Sequence, residues 1–142
     1  SYPSSYCNKP SVIAQNDNMI SVNSAIEIDL YGQVNAEGIA GHEFSGVGGA
    51  LDFMRGAYDS KGGKSFLALY STAKDGEVSR IVPRLTNNVT DPRMDTEFVV
   101  TEYGITNLKG KSTKERALAL IELAHPKFRE ELIKKAEEVT LI

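Results

Sequence analysis

Apolar and polar positions alternate along the stretch from Met19 to Leu30. Ile26, Ile28 and Leu30 are separated by Glu27 and Asp29, the period of two that marks a half-buried strand. Tyr31-Gly32-Gln33 reads as a turn and Val34 to Ile39 as a returning strand, so the two segments form a hairpin. The period then changes. Leu51, Met54 and Tyr58 recur at helical spacing, and Phe53 and Ala57 widen the same face, which predicts a helix from about Ala50 to Asp59. Ser65 to Ser71 is a short apolar run with few charges and reads as a buried strand. Lys74-Asp75-Gly76-Glu77 is a hairpin turn, and Val78 to Leu85 returns as a strand whose edge or end is marked by Pro83. Glu97 to Glu102 is a further strand, stopped by Tyr103-Gly104.

The last third is helical. Ser112 and Glu115 stand at capping-box spacing before a helix that runs to about Ala124, with Ala117, Leu120, Ile121 and Ala124 as its buried stripe. Pro126 disfavours helix at His125 and starts the next one, Lys127 to about Val139, with Phe128, Leu132, Ile133 and Ala136 facing inward. Ahead of the first strand, Asn8 to Gln15 holds one helical turn with Pro10 near its start. Strands and hairpins first, one embedded helix and a closing helical pair give an α/β fold class: a mixed sheet flanked by helices. Residues 1–10 have no apolar period and read as a linker-like leader before a domain spanning 11–142.

Composition narrows the classes of function. The 142 residues amount to one domain, and a net charge of −3 argues against a general nucleic-acid partner. No apolar run approaches the roughly 20 residues of a membrane span. The single cysteine, Cys7, has no internal disulfide partner and fits a reducing, cytoplasmic compartment. The histidines, His42 and His125, lie far apart in sequence and no zinc-ligand spacing occurs, so no metal is expected.

The candidate chemistry gathers at Phe44-Ser45-Gly46-Val47-Gly48-Gly49, with three glycines in four positions at the start of the embedded helix. Glycines let the backbone approach a ligand closely, and a helix start offers free N–H groups to an anion or oxyanion. The spacing matches neither GxGxxG nor the phosphate loop ending in GK[ST], and an unliganded strand-to-helix turn accounts for it equally well. Glu27 and Asp29 are paired carboxylates, but a half-buried strand places them on its solvent face by default. Glu37 stands alone among small and apolar residues in a structural or positioning role, and Glu102 ends a strand, where α/β proteins place ligand contacts. His42 is a further ligand candidate. Arg55, Lys61, Lys64, Lys74, Arg80 and Arg84 are candidate partners for a phosphate-bearing ligand. No triad, metal site or base–nucleophile pair is present.

Six ordered blocks, VIAQNDNM, NSAIEIDLYGQV, FSGVGGALDFMRGA, STAKDGEVSRIVPRL, VVTEYGITNLKGKS and ALIELAHPKFREEL, resemble the C-terminal domain of the acetyl-CoA hydrolase/transferase family, nearest to its 4-hydroxybutyrate and butyrate-type CoA-transferases. The resemblance covers Ser11 to Leu132. It implies a half-enzyme that moves coenzyme A, as a substrate, between short-chain carboxylic acids at a cleft shared with an N-terminal domain. The family's nucleophile is a glutamate in a short motif near the domain junction. That motif does not occur in this sequence, and Glu27, Glu37 and Glu43 do not match it.

What the resemblance carries over is the supporting half of the site. Gly48 and Gly49 match the oxyanion-hole loop, and Asn23 matches an asparagine that orients the glutamate carboxylate or the acyl group. Gly46, Val47 and Lys74 match positions on the CoA side. Relatives with other acyl groups often read GGSGDF where this chain has GGALDF, which bears on acyl specificity. The resemblance further implies acyl-CoA and carboxylate partners, and a homo-oligomer that covers an apolar docking face. The alternatives are a hydrolase of the same family, a stand-alone CoA- or acyl-binding module, and an α/β interaction domain.

Overall fold

The computed structural model describes residues 1–142. Two helical turns, α1 (Ser4–Cys7) and α2 (Pro10–Ile13), open the chain. Then follow β1 (Ile20–Ser24), β2 (Glu27–Asp29), β3 (Val34–Asn35), β4 (Gly38–Ile39), β5 (His42–Glu43) and α3 (Ala50–Asp59). Next come β6 (Lys64–Ala68), β7 (Thr72–Ala73), β8 (Val78–Ser79), β9 (Ile81–Val82), β10 (Phe98–Thr101) and β11 (Gly104–Asn107). The helices α4 (Thr113–Leu123) and α5 (Pro126–Glu138) close the chain.

The main sheet has the order β1-β6-β10-β11. β1, β6 and β10 run parallel, and β11 returns antiparallel to β10. A second sheet, β3-β2-β9, joins the antiparallel β2–β3 hairpin to β9, which is parallel to β2. The ribbons β4–β5 and β7–β8 stand apart. Leu67 and Val99 of the main sheet, Ile28, Val34 and Ile81 of the second, Leu120 of α4 and Leu132 of α5 share one core. The fold is the expected α/β arrangement, with a mixed sheet, flanking helices and a C-terminal helical pair.

Helix ends follow local chemistry. The Ser112 hydroxyl accepts from the Glu115 N–H, and the Glu115 carboxylate accepts from the Ser112 N–H, so the capping box is present and holds the Glu115 carboxyl below its usual range. Pro126 occupies the first turn of α5, and His125 Nδ1 accepts from the Lys127 N–H. The Arg129 guanidinium donates to the carbonyls of Ala124 and Glu122, and the Thr101 hydroxyl to that of Leu123, so the end of α4 is closed by side chains.

Several expectations are corrected. The stretch from Met19 to Leu30 is not one strand: it breaks at Ala25-Ile26, and β1 and β2 lie in different sheets. β1 alternates in burial whereas β2 is buried on both faces, but the apolar-polar alternation of the residues runs on through Ile26, Ile28 and Leu30 and hides the break. Val34–Ile39 and Val78–Leu85 each divide in the same way, and β11 was not legible. Asp29 does not face solvent. It is fully buried, and its carboxylate accepts from the N–H groups of Tyr31, Gln33 and Leu85 and from Gln33 Nε2. Ile133 and Tyr58 are exposed rather than inward; the Tyr58 ring instead carries the Lys109 ammonium at 4.1 Å.

Residues 1–10 hold α1 and lead into α2, whose Ile13 is buried against α3. The close approach explains Gly56: a Cβ there would lie 2.5 Å from Ile13 Cβ.

Candidate active site

Two concave regions lie where the candidate residues cluster. The first lies at the β4–β5 ribbon, just ahead of the glycine loop in the chain. Beneath it is a hydrogen-bonded platform built on β2, β3 and the segment 86–91. Asn35 Nδ2 donates to Glu27 Oε1 (3.0 Å) and to the Gly38 carbonyl (2.6 Å), and Asn87 Nδ2 donates to the same Glu27 oxygen (2.8 Å). The Thr90 hydroxyl donates to Glu37 Oε2 (2.8 Å), and the Glu37 carbonyl accepts from the N–H groups of Phe44 and Ser45. Glu37 is therefore a buried anchor for the start of the loop, the structural role its sequence context suggested. His42 is exposed on β5 and lines a polar cavity of about 300 Å³ with Gly38, Glu43 and Asn87.

The loop itself is exposed from Phe44 to Gly48. Gly48 has φ +62°, a conformation that favours glycine. A Cβ at Gly46 or Gly48 would meet nothing within 4 Å, so this chain's own packing does not require glycine there. The loop delivers Gly49 as the N-cap of α3 without any side-chain cap, leaving first-turn N–H groups free.

Asp91 sits in the same platform. It is buried, neither carboxylate oxygen has a partner, and burial together with Asp95 and Glu37 pushes its carboxyl up to about 6.

The second region is a cavity of about 510 Å³ at the carboxyl ends of the parallel strands, where open α/β sheets bind ligands. Ala25, Ala68, Leu69 and Val100 give it an apolar wall. Ser24, Tyr70, Thr101, Glu102 and Arg80 supply the polar groups. Glu102 Oε1 accepts from the Ser71 N–H at 2.8 Å. Sequence reasoning singled out Glu102 and Arg80 but missed the rest; the signal available was that these residues end β1, β6 and β10.

Asn23, one residue before this cavity's edge, is half-buried on β1, and its Nδ2 donates to the Ser21 hydroxyl at 2.9 Å. Lys74 is exposed at the tip of the β7–β8 ribbon with φ +51°. Asn23, Gly48, Gly49 and Lys74 make no hydrogen bonds to one another, and Val47 is exposed. Of the other basic candidates, Arg55 is committed to Asp95 at 2.9 Å, which raises its pKa, and Arg84 lies over the Tyr31 ring. Lys61 and Lys64 are exposed at the opposite end of β6 from the cavity. No group of three His, Cys, Asp or Glu residues is placed to hold a metal ion, and no helix is long and apolar enough to cross a membrane.

Comparison with known proteins bears on the family and the fold. The sequence profile of the acetyl-CoA hydrolase/transferase C-terminal domain matches residues 1–136. The chain is 54% identical to the 4-hydroxybutyrate coenzyme A transferase of Clostridium kluyveri over 134 residues, covering 93% of this chain and 31% of that protein. It is 53% identical to a probable butyrate:acetyl-CoA coenzyme A-transferase of Syntrophomonas wolfei, covering 99% of this chain and 32% of the relative. The crystal structure of RipA from Yersinia pestis superposes with a TM-score of 0.94 at 56% identity, covering 99% of this chain and 32% of that one. The chain thus spans about a third of the length of these relatives, and within that third sequence and fold agree throughout: it belongs to the acetyl-CoA hydrolase/transferase family, as a C-terminal domain.

Proposed function

We propose that this chain is the C-terminal part of a CoA-transferase that moves coenzyme A between short-chain carboxylic acids of the acetate, butyrate or 4-hydroxybutyrate type. The observation that carries this reading is the glycine loop, an exposed run ending in an uncapped helix start, with open space around Gly46 and Gly48. Family membership and the names of the relatives support the same chemistry. The backbone N–H groups of Gly48 and Gly49 take the oxyanion of the tetrahedral intermediates, a role that contributes about 3–4 kcal/mol per donor in other enzymes. Asn23 orients the reacting carboxylate or acyl group. Gly46, Val47 and Lys74 contact coenzyme A, which is a substrate and not a resident cofactor.

The nucleophile is a glutamate outside this sequence, in an N-terminal part of the enzyme. Its carboxylate attacks the thioester carbonyl and expels CoA thiolate, leaving an acyl-glutamyl anhydride. The thiolate then attacks the glutamyl carbonyl and releases the acid, and the resulting glutamyl-CoA thioester passes CoA to the second acid by the reverse steps. In this reading residues 11–142 form the domain, residues 1–10 join it to the preceding part, and the enzyme works in the cytoplasm.

The outer face of the main sheet supports the docking of that part. β1 is an edge strand, and Ile20, Val22, Phe66, Phe98, Val100 and Ile105 occupy alternate positions on which no residue is buried.

The test is the longer polypeptide, with the N-terminal two-thirds present, given acetyl-CoA with and without butyrate. Butyryl-CoA formed only with the acceptor is the expected result. Acetate and CoA released at the same rate without butyrate would make the enzyme a hydrolase. No turnover, with CoA retained by the 142-residue chain alone, would make it a binding module. Asn23→Ala should lower kcat on the order of 100-fold with little change in thermal stability, the scale of losing one positioned polar group.

A further inference from the structure

Arg80 stands between β8 and β9 with its backbone fixed on both sides. Its N–H donates to the Ser71 carbonyl (2.8 Å), and its carbonyl accepts from the Ile28 N–H (2.9 Å). The side chain is not satisfied in the same way. Nε is buried without a partner, and Nη1 reaches only the Ala25 carbonyl, at 3.5 Å. The structure contains two ion pairs, Arg55–Asp95 and Lys135–Glu138, and neither involves Arg80.

The other partly buried arginines differ. Arg116 donates to the carbonyls of Arg93, Lys111 and Tyr31, and Arg129 to two carbonyls at 2.8 and 2.9 Å. A guanidinium is permanently charged, with five N–H groups in a planar fork. Holding it half-buried without an anion or a full set of acceptors is costly, so the position calls for a counter-charge. The carboxylate on the same cavity wall, Glu102, lies beyond ion-pair distance and is engaged by the Ser71 N–H.

Arg80 borders the cavity of about 510 Å³ at the carboxyl ends of β1, β6 and β10. Beside it runs the apolar wall of Ala25, Leu69 and Val100. A cationic fork next to a short hydrocarbon surface fits an aliphatic monocarboxylate better than a phosphate, which has no use for the wall. We propose that Arg80 binds the carboxylate of a short-chain aliphatic acid whose hydrocarbon lies along Ala25, Leu69 and Val100. The inference rests on the transferase reading, because the acid that accepts CoA must be held as its anion. Arg80 serves binding of that acid, so its loss is read in KM for the acid and not in KM for the thioester.

The test uses the isotope-labelled 142-residue chain, titrated at constant ionic strength with sodium butyrate, with neutral butyramide and with inorganic phosphate. Butyrate should shift the Arg80 Nε–H resonance, the Ser24 and Thr101 amides and the Leu69 methyls together. Butyramide should bind about tenfold or more weakly, since it lacks the charge-assisted bonds. Arg80→Gln should lose the butyrate response and Arg80→Lys should keep part of it, with the Ile28 amide reporting an intact fold. Equal binding of butyrate and butyramide overturns the site, and that comparison needs no variant. Unchanged butyrate binding by Arg80→Gln overturns it as well. Phosphate that matches butyrate at the same resonances overturns the acid assignment.

The two readings fail separately. Acceptor-dependent CoA transfer whose KM for butyrate is unmoved by Arg80→Lys leaves the enzyme standing without this site. Butyrate binding at Arg80 in a protein that transfers no CoA leaves the site without the enzyme.

Discussion

The two faces of the β1-β6-β10-β11 sheet are made from the same strands and finished differently. On one face Leu67 and Val99 are essentially inaccessible and join a core that continues through the second sheet into α4 and α5. On the other, Val22 is 67% exposed and Ile105 55%, although both are residues that sheets ordinarily bury. The closed face also rests on satisfied polar groups, among them Asp29 with four donors. Elsewhere, the start of α3 has no side-chain cap, the glycine loop is exposed and Arg80 Nε has no partner. Apolar packing is thus complete where the chain meets itself, while two side chains, Asp91 and Arg80, keep buried polar atoms without partners.

Leu67→Ala puts a cavity at the centre of the closed face and should cost roughly 2–5 kcal/mol in urea unfolding. Val22→Thr on the open face should stay within about 0.5 kcal/mol. Equal losses would break the contrast between the faces.

Asp91 is the unsatisfied group within the closed side and sharpens the comparison. Its carboxyl is raised from 3.8 to about 6, so between those values the folded state holds a proton that the unfolded state has released. The stability this group contributes therefore falls as pH rises from about 4 through 6, by up to about 3 kcal/mol from the size of the shift. Asp91→Asn should flatten the stability profile across that window and raise stability at pH 7.5, as followed by thermal unfolding. A profile unchanged by the substitution would remove Asp91 as its cause.

The glycine loop should yield a smaller effect. Gly48→Ala forces a left-handed conformation on a residue with a Cβ and should cost about 1–2 kcal/mol of loop stability, with no clash because the space is open. Hydrogen exchange of the Phe44 and Ser45 amides reports it. The smallest effect on folding is expected from Ile105→Lys on the open face. It should leave the melting temperature within a few degrees but reduce any concentration-dependent self-association seen in sedimentation, since it charges the apolar surface.

Much of the fold was legible because its signals are local. The α3 helix, the Ser112 capping box and the restart of helix at Pro126 all lie where residue spacing and cap chemistry put them. The breaks at Ala25-Ile26, Ala36-Glu37 and Arg80 were not legible, because a period of two records which side is buried and not which strand supplies the hydrogen bonds. The same gap led to the wrong surface for Asp29: its four donors come from Tyr31, Gln33 and Leu85, and Leu85 lies 56 positions away. For the candidate site, sequence drew attention to the glycine loop and, by resemblance, to Asn23 and Lys74. It did not show that Ser24, Leu69, Thr101 and Arg80 border one cavity, since they meet only when three parallel strands end together.

The sequence by itself determined the class of fold, the helices with their caps, and membership of the acetyl-CoA hydrolase/transferase family, because propensity, periodicity and ordered motif blocks are properties of the chain. Only the tertiary structure decided which carboxylates are buried, which arginine lacks a partner and which face of the sheet is open. Those depend on distances between residues remote in sequence, and burial and charge pairing exist only once the strands are assembled.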